Sequence, residues 1–187
     1  PDGTSPTVTA AAASFGAADS ISASVTLDAT GKAASVPLKL YKKENITLNA
    51  EETGALASRI LSQSGLNISV GVTAISAGTS TVVPSPSSRV ANGIESSTIT
   101  VTLKDAYQNV IAGKSVNLST TFNLGTGSLT QPASATDANG QTTGSVKSTK
   151  IGDAAISATA DPSGENVAIT QQATVTFVPG RISAAQS

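Results

Sequence analysis

The alternation of apolar and hydroxyl-bearing residues is clearest at positions 97–118, which read S-T-I-T-V-T-L-K-D-A-Y-Q-N-V-I-A-G-K-S-V-N-L. Ile99, Val101 and Leu103 fall on one face of an extended chain, and threonines fall on the other. This period of two, carried by β-branched residues, predicts a half-buried strand. A polar turn follows, and the alternation resumes at Val116 and Leu118. The stretch therefore predicts two strands of one β-sandwich.

Similar alternating segments, separated by turn-forming residues, run through the whole chain. In the second half they predict strands at 98–103, 115–122, 142–148, 154–160 and 172–178. In the first half they predict strands at 7–10, 21–27, 36–40, 46–48, 56–61 and 66–75, with turns at 28–32 and 51–54. No helical period competes with this pattern. The fold class predicted is all-β, with two tandem immunoglobulin-like β-sandwich domains.

The division between the two predicted domains falls where the composition changes. Positions 79–88 read T-S-T-V-V-P-S-P-S-S, and prolines restrict a chain to extended conformations, so a stiff junction is predicted here. The prediction assigns residues 1–80 to a degenerate immunoglobulin-like domain and residues 81–180 to a second one. Residues 181–187 are expected to begin the next linker or repeat. V-T-L at 25–27 and again at 101–103 is typical of tandem repeats.

The composition removes most kinds of chemistry from consideration. The chain has no Cys, no His and no Trp, so thiolate nucleophiles, disulfides, cysteine zinc sites and histidine general bases are excluded. We therefore expect a protein that is not an enzyme and that needs no cofactor. The formal net charge of −1 gives no electrostatic reason to expect a nucleic-acid partner. No apolar run approaches the roughly 20 residues that span a bilayer, so insertion of this fragment into a membrane is not expected.

Two places offer weak candidates for a site. Asp137 and Asn139 precede a glycine as calcium ligands do, but the loop lacks the later Glu, so a type I′ hairpin turn is the favoured interpretation. A structural calcium at a domain junction is the alternative, and no metal is expected otherwise. Tyr107 and Asp105, in the turn after the first strand, are the candidates for contact with a neighbouring domain or a receptor. For Tyr107, packing over the end of the sandwich is favoured.

The motifs at 97–116 and at 136–142 (T-D-A-N-G-Q-T) resemble the bacterial immunoglobulin-like repeats of the invasin and intimin family. Those repeats have a threonine-rich first strand, a lysine-aspartate turn, a glycine and a valine-rich strand, in that order. Val175, Thr176 and Phe177 are similar to their closing strand. The place of their lysine-glycine turn is taken here by residues 148–152, which Ile151 interrupts. The resemblance covers residues 80–180 well and residues 1–79 weakly.

The resemblance implies a surface adhesin of Gram-negative bacteria, in which tandem modules project a distal binding tip. The expected function is that of a non-catalytic extracellular stalk or adhesion segment, held in the outer membrane by another part of the polypeptide. The expected partners are neighbouring immunoglobulin-like repeats and a host cell-surface protein. The alternative is that the fragment itself binds a receptor or another copy. The sequence provides few of the aromatic and arginine residues that anchor protein interfaces, which favours the stalk.

Overall fold

The computed structural model describes residues 5–9, 14–15, 22–24, 38–53 and 66–181, with side chains for 39–47 and 66–181. The chain divides into two compact units, Pro1–Gly71 and Val72–Ser187. The described residues contain strands, turns and bends, and none of them forms a helix long and apolar enough to cross a membrane. The all-β prediction is confirmed.

The described residues of the first unit form one four-stranded antiparallel sheet and a separate two-stranded pair. Its strands are β1 (Ser5–Thr9), β2 (Ser14–Phe15), β3 (Ser22–Ser24), β4 (Leu38–Lys39), β5 (Asn45–Thr53) and β6 (Leu66–Ser69). The sheet has the order β3-β1-β5-β6, and β2 pairs with β4. Strands predicted at 7–10, 21–27, 36–40 and 46–48 thus have counterparts. The strand at 56–61 and the turn at 28–32 lie outside the described residues.

Two predictions for this unit are wrong. The turn expected at 51–54 is occupied by the end of β5, where Glu51 pairs with Thr7 and Glu52 with Pro6. Glutamate disfavours strands only weakly, and pairing with β1 outweighs that preference. The strand expected at 66–75 ends at Ser69, and its supposed inner residue Leu66 is 64% exposed.

The second unit is a sandwich of two sheets. Its strands are β7 (Thr81–Ser85), β8 (Ser88–Val90), β9 (Ser97–Thr102), β10 (Val116–Thr120), β11 (Ser128–Thr130), β12 (Gln141–Lys147), β13 (Gly152–Ala160), β14 (Val167–Ala168) and β15 (Ala173–Val178). One sheet has the order β11-β12-β9-β7, and the other has the order β10-β13-β15-β8, with β14 added beside β13. This strand order is that of an immunoglobulin-like sandwich. All five strands predicted in the second half are confirmed.

The stiff junction predicted at 79–88 is wrong, because most of this stretch is part of the sandwich. β7 pairs antiparallel with β9, and β8 pairs in parallel with β15 in the opposite sheet. The chain changes sheets between them, at a cis peptide bond before Pro86. Pro84 lies within β7 and is tolerated there because β7 is an edge strand, with a partner strand on one side only. Residues 72–80 also lie within the second unit.

Between the two sheets lies a core of aliphatic side chains around one aromatic ring. β9 and β15 alternate strictly between buried and more exposed positions, as the sequence pattern predicts. The largest fully buried apolar side chains are Phe177, Ile99, Leu103, Ile156, Val82, Val101, Val146 and Val175. Removing such surfaces from water stabilises the unit by about 1.5–3 kcal/mol per large side chain.

Candidate functional site

The most densely bonded polar region of the second unit lies at the end of the sandwich where β9 stops and β10 starts. We call this end the N-terminal pole; the loops 103–115, 137–140 and 161–166 form it. We call residues 72–80, which reach β7 across this pole, the leading segment. The opposite end, formed by the loops 91–96, 121–127 and 148–151 and by the residues after β15, is the C-terminal pole.

Asp105 is the central acceptor of the N-terminal pole and is completely buried. Its Oδ1 accepts hydrogen bonds from the backbone N–H groups of Tyr107 (2.9 Å) and Asn109 (3.0 Å). The Asn109 amide donates to both carboxylate oxygens, at 3.2 and 3.0 Å. Oδ2 also accepts the backbone N–H of Thr73 in the leading segment, at 3.1 Å. Asp105 therefore shapes the turn and ties the leading segment to it.

The environment of Asp105 favours its charged form. Burial raises the pKa of the Asp105 carboxyl, but the hydrogen bonds from the Asn109 side chain and from the N–H groups of Thr73, Asn109 and Tyr107 outweigh it. The resulting pKa lies below the ordinary value. A buried carboxylate with this many donors is stable because each donor replaces a lost interaction with water. Asp105, a candidate for partner contact on sequence grounds, is turned inward and bonded within its own unit.

A second carboxylate holds the leading segment two residues further on. Glu165 Oε2 accepts the backbone N–H of Ile75 at 3.0 Å, and its Oε1 lies 3.0 Å from Lys114 Nζ. Lys114 Nζ also lies 2.8 Å from Asp161 Oδ2. The hydrogen bond from Ile75, followed by that from Lys114, lowers the pKa of Glu165. Hydrogen bonds to Asp161 and Glu165 in turn raise the pKa of Lys114.

Further bonds fix the rest of the leading segment. The N–H of Ser76 donates to the carbonyl of Lys104 at 2.9 Å, and the Thr79 hydroxyl donates to the carbonyl of Asp105 at 2.7 Å. Ser80 is buried, and its hydroxyl accepts the N–H of Lys104 at 3.0 Å. Ile75 is buried as well. The segment is therefore an integral part of the sandwich rather than a free tether.

The other candidates from the sequence have different surroundings. Tyr107 is 51% exposed at the N-terminal pole, and its role as a contact residue stays a prediction. Asp137 and Asn139 are exposed; Asp137 Oδ1 accepts the N–H groups of Asn139 (2.8 Å) and Gln141 (2.9 Å). This is a turn, as favoured, but only Gly140 has a positive φ (71°), so the type I′ geometry is wrong. In the part of the chain that the structure describes, no three acidic side chains gather as a metal site would require.

Sequence reasoning missed Glu165, Lys114 and the whole leading segment as a bonded unit. Asp161 lies in a predicted turn, and its positive φ of 46° agrees with that prediction. The bond from Ile75 to Glu165, however, spans 90 residues of sequence. No local pattern indicates such a pair. This contact depends on which loops lie together at one pole, and that is determined by the fold.

The charges of the second unit are unevenly distributed between its two poles. Two lysines and four acidic residues at the N-terminal pole give it a formal charge of −2: Lys104, Lys114, Asp105, Asp137, Asp161 and Glu165. Four basic and two acidic residues lie at or near the C-terminal pole and give it a formal charge of +2: Arg89, Lys147, Lys150, Arg181, Glu95 and Asp153. The unit is therefore an electrostatic dipole directed along its strands.

The fold of the second unit defines an immunoglobulin-like module. The chain matches the bacterial Ig-like domain (group 1) family over residues 68–178, and it belongs to that family. Domains of this family are generally non-enzymatic structural modules. None of the curated proteins matches the chain.

Several solved adhesin structures have a similar fold. Invasin, a bacterial integrin-binding protein, is 24% identical with a TM-score of 0.52, over 98% of this chain and 34% of that one. InvD of Yersinia pseudotuberculosis is 22% identical with a TM-score of 0.57, over 100% of this chain and 50% of that one. FdeC, an Escherichia coli adhesin, is 18% identical with a TM-score of 0.54, over 98% and 54%. The chain thus spans between a third and about half of these structures.

The resemblance to the repeats of the invasin and intimin family is therefore confirmed. The chain is an adhesin-related immunoglobulin-like module.

Proposed function

We propose that the chain is a stalk segment of a bacterial surface adhesin, in which tandem immunoglobulin-like domains hold a distal binding tip away from the cell. In this proposal the second domain begins at residue 72 rather than 81, because residues 72–80 are bonded into its sandwich, and it extends to residue 180. The residues before it form a degenerate domain of the same class, and residues 181–187 begin the next linker or repeat. The polypeptide is exposed outside the cell and is anchored in the outer membrane by another of its parts.

The observation that carries this proposal is the path of the chain through the second unit. The leading segment is bound at one pole by Asp105 and Glu165, and β15 ends at the other pole, where the Ala91 N–H donates to the Val178 carbonyl. A module that receives the chain at one end and releases it at the other adds length to a series. Strands of this size add on the order of 25–30 Å per module.

Two further features support the stalk function. The leading segment is hydrogen-bonded to its own sandwich, and the two poles carry opposite charges. A segment with this many bonds to its own sandwich has few free torsions, so residues 72–80 are held as part of the second unit. Poles of opposite charge would attract each other where one such module follows another in series. Neighbouring immunoglobulin-like repeats of the same polypeptide are therefore the partners proposed for this chain. A host cell-surface protein would be the partner of the distal tip.

Solution scattering of the full chain tests the stalk. A compact globule of 187 residues would have a radius of gyration of about 16 Å. Two modules in series should give a clearly larger value and a distance distribution with a long tail. A value near that of the globule would rule out the stalk.

Capture from host-cell extracts tests the alternative, in which the fragment is itself the binding module. The immobilised chain should retrieve no host protein that is absent from a control immunoglobulin-like domain of unrelated sequence. Specific retrieval that is lost on Tyr107→Ala would favour the binding module, because Tyr107 is the exposed aromatic residue of the N-terminal pole.

A further inference from the structure

The parallel pairing of β8 with β15 determines how the second unit responds when its two ends are pulled apart. We propose that this unit bears tensile load, and that the parallel pair formed by β8 and β15 is its mechanical clamp. The proposal rests on the stalk function above, since load would reach the unit through the two ends of its chain.

The direction of load follows from where the chain enters and leaves. The leading segment is fixed at the N-terminal pole, and β15 runs from there toward the C-terminal pole, with Pro179 to Arg181 continuing beyond it. Tension on the two ends therefore acts along the strands rather than across them.

β8 and β15 are parallel neighbours, with Ser88 opposite Thr176, Arg89 opposite Phe177 and Val90 opposite Val178. Tension pulls β8 by its first residue toward the N-terminal pole and pulls β15 by its last residue toward the C-terminal pole. The two strands are thus loaded in opposite directions along their length. In this geometry their hydrogen bonds share the load and must break together, whereas strands pulled from the same end separate one bond at a time.

Hydrogen bonds and buried side chains strengthen the clamp at both ends. The Thr176 N–H donates to the Ser87 carbonyl and the Ala91 N–H donates to the Val178 carbonyl, both at 2.8 Å. Phe177, in the middle of the pair, is completely buried, so sliding of β15 would pull an aromatic ring out of the core.

β7 precedes the clamp in the load path and has its own attachment. It has five paired positions with β9, and its Val82 is 1% exposed. The Ser97 hydroxyl donates to the Pro86 carbonyl at 2.6 Å, which ties the crossover between β7 and β8 to β9. Under load we expect the leading segment and β7 to detach first, with a short extension. The clamp then fails and releases residues 88–178, a lengthening on the order of 300 Å.

Single-molecule pulling between introduced cysteines tests the clamp, and the chain favours this design because it contains no cysteine of its own. One variant carries Ala74→Cys and Arg181→Cys, both at exposed positions, and loads β8 and β15 in opposite directions. The matched control carries Ile94→Cys and Arg181→Cys. Ile94 is 81% exposed and follows β8, so this pair pulls both strands from their C-terminal ends and peels them apart.

The expected result is an unfolding force at least about twofold higher for the first pair than for the control, because several hydrogen bonds break together. Unfolding under force reports on the barrier to unfolding, so equal equilibrium stability of the two variants is the required check. Adding Ala91→Pro, which removes one donor of the clamp, should lower the force for the first pair more than for the control pair. Equal forces in the two geometries would overturn the clamp.

The two proposals can fail separately. Equal pulling forces would overturn the clamp but leave the stalk proposal standing, and a compact scattering profile would remove the stalk whatever the forces are.

Discussion

The backbone N–H of Ile75 donates to Oε2 of Glu165 at 3.0 Å, and the two residues are 90 positions apart in the sequence. This bond connects the leading segment to a loop that precedes β14 and β15. It places the first and last thirds of the unit in direct contact at one pole. The carboxylate that accepts it is shared with Lys114.

Glu165→Ala should loosen the leading segment without unfolding the sandwich. The Ile75 amide loses its acceptor, so its hydrogen exchange should become roughly tenfold faster, while amides of β9 and β13 keep their protection. The matched control is Asp153→Ala, since that carboxylate accepts a bond from Thr176 on the outer face of a sheet. Unchanged exchange at Ile75 in the Glu165 variant would show that the bond does not hold the segment.

Asp105→Ala should destabilise the second unit by about 3 kcal/mol, because it leaves several buried N–H donors without an acceptor. Asp105→Asn keeps the shape and one acceptor oxygen, so about 1–2 kcal/mol is expected. The measurement is urea unfolding followed through the amide signals of β9 and β13. If both variants unfolded at the urea concentration of the parent, the buried carboxylate would have no stabilising role.

Acid should weaken the second unit at its N-terminal pole. The pKa values of Asp105, Asp161 and Glu165 lie below their ordinary values in the folded protein. The stability that these groups contribute is complete above the ordinary carboxyl pKa of about 4, and it is lost as pH falls through the lower folded values. The pKa of Lys114 is raised, so its contribution is lost only as pH rises above about 10.5.

The melting temperature should therefore fall as pH is lowered below about 4 and change little between pH 6 and 9. In Asp105→Asn the acid-dependent loss should be smaller than in the parent. An identical pH profile in the two proteins would assign the acid sensitivity to other groups.

Substitution of three glycines by alanine distinguishes the cost of a positive φ from the cost of a steric clash. At Gly140, with φ 71°, a Cβ would lie 2.8 Å from the Leu103 carbonyl oxygen and 2.9 Å from Val110 Cβ. At Gly113, with φ 76°, a Cβ would have open space, and Gly78 has open space without a positive φ. Gly78→Ala should be neutral or slightly stabilising, and Gly113→Ala should cost about 1–2 kcal/mol.

Gly140→Ala should cost clearly more than Gly113→Ala, because backbone atoms must move as well. Urea midpoints of the three variants provide the measurement. Equal costs at positions 113 and 140 would mean that the loop containing Val110 yields without resistance.

The strands of the second unit were predictable because each inward position carries its own apolar residue. The strand β9 is predicted by Ile99, Val101 and Leu103, and the strand β15 by Val175 and Phe177, all of which are buried. The sequence of β7 predicts a junction because Pro84 and the following Pro86 resemble a domain boundary, whereas the strand forms by pairing with the distant β9. Pro84 is compatible with this strand because β7 lies at the edge of its sheet.

The N-terminal pole could be predicted only in part. The Lys104–Asp105 turn and the turn at Asp137 have local signals in their side chains, and the structure has turns at both places. The inward orientation of Asp105 and its bond to Thr73 have none, because they depend on a segment 32 residues earlier. Long-range partners of loop residues are set by topology, and a single sequence does not encode topology in any short window.

The pairing of β8 with β15 joins residues as far apart as Ser88 and Thr176. Contacts between such distant positions close long loops and form late in folding, after nearer strands have paired. The sandwich can therefore be completed only when its last strand is available. A chain that emerges gradually, N-terminal end first, would keep β8 unpaired with β15 until β15 emerged. Folding of the module would then be complete only after its whole length has emerged.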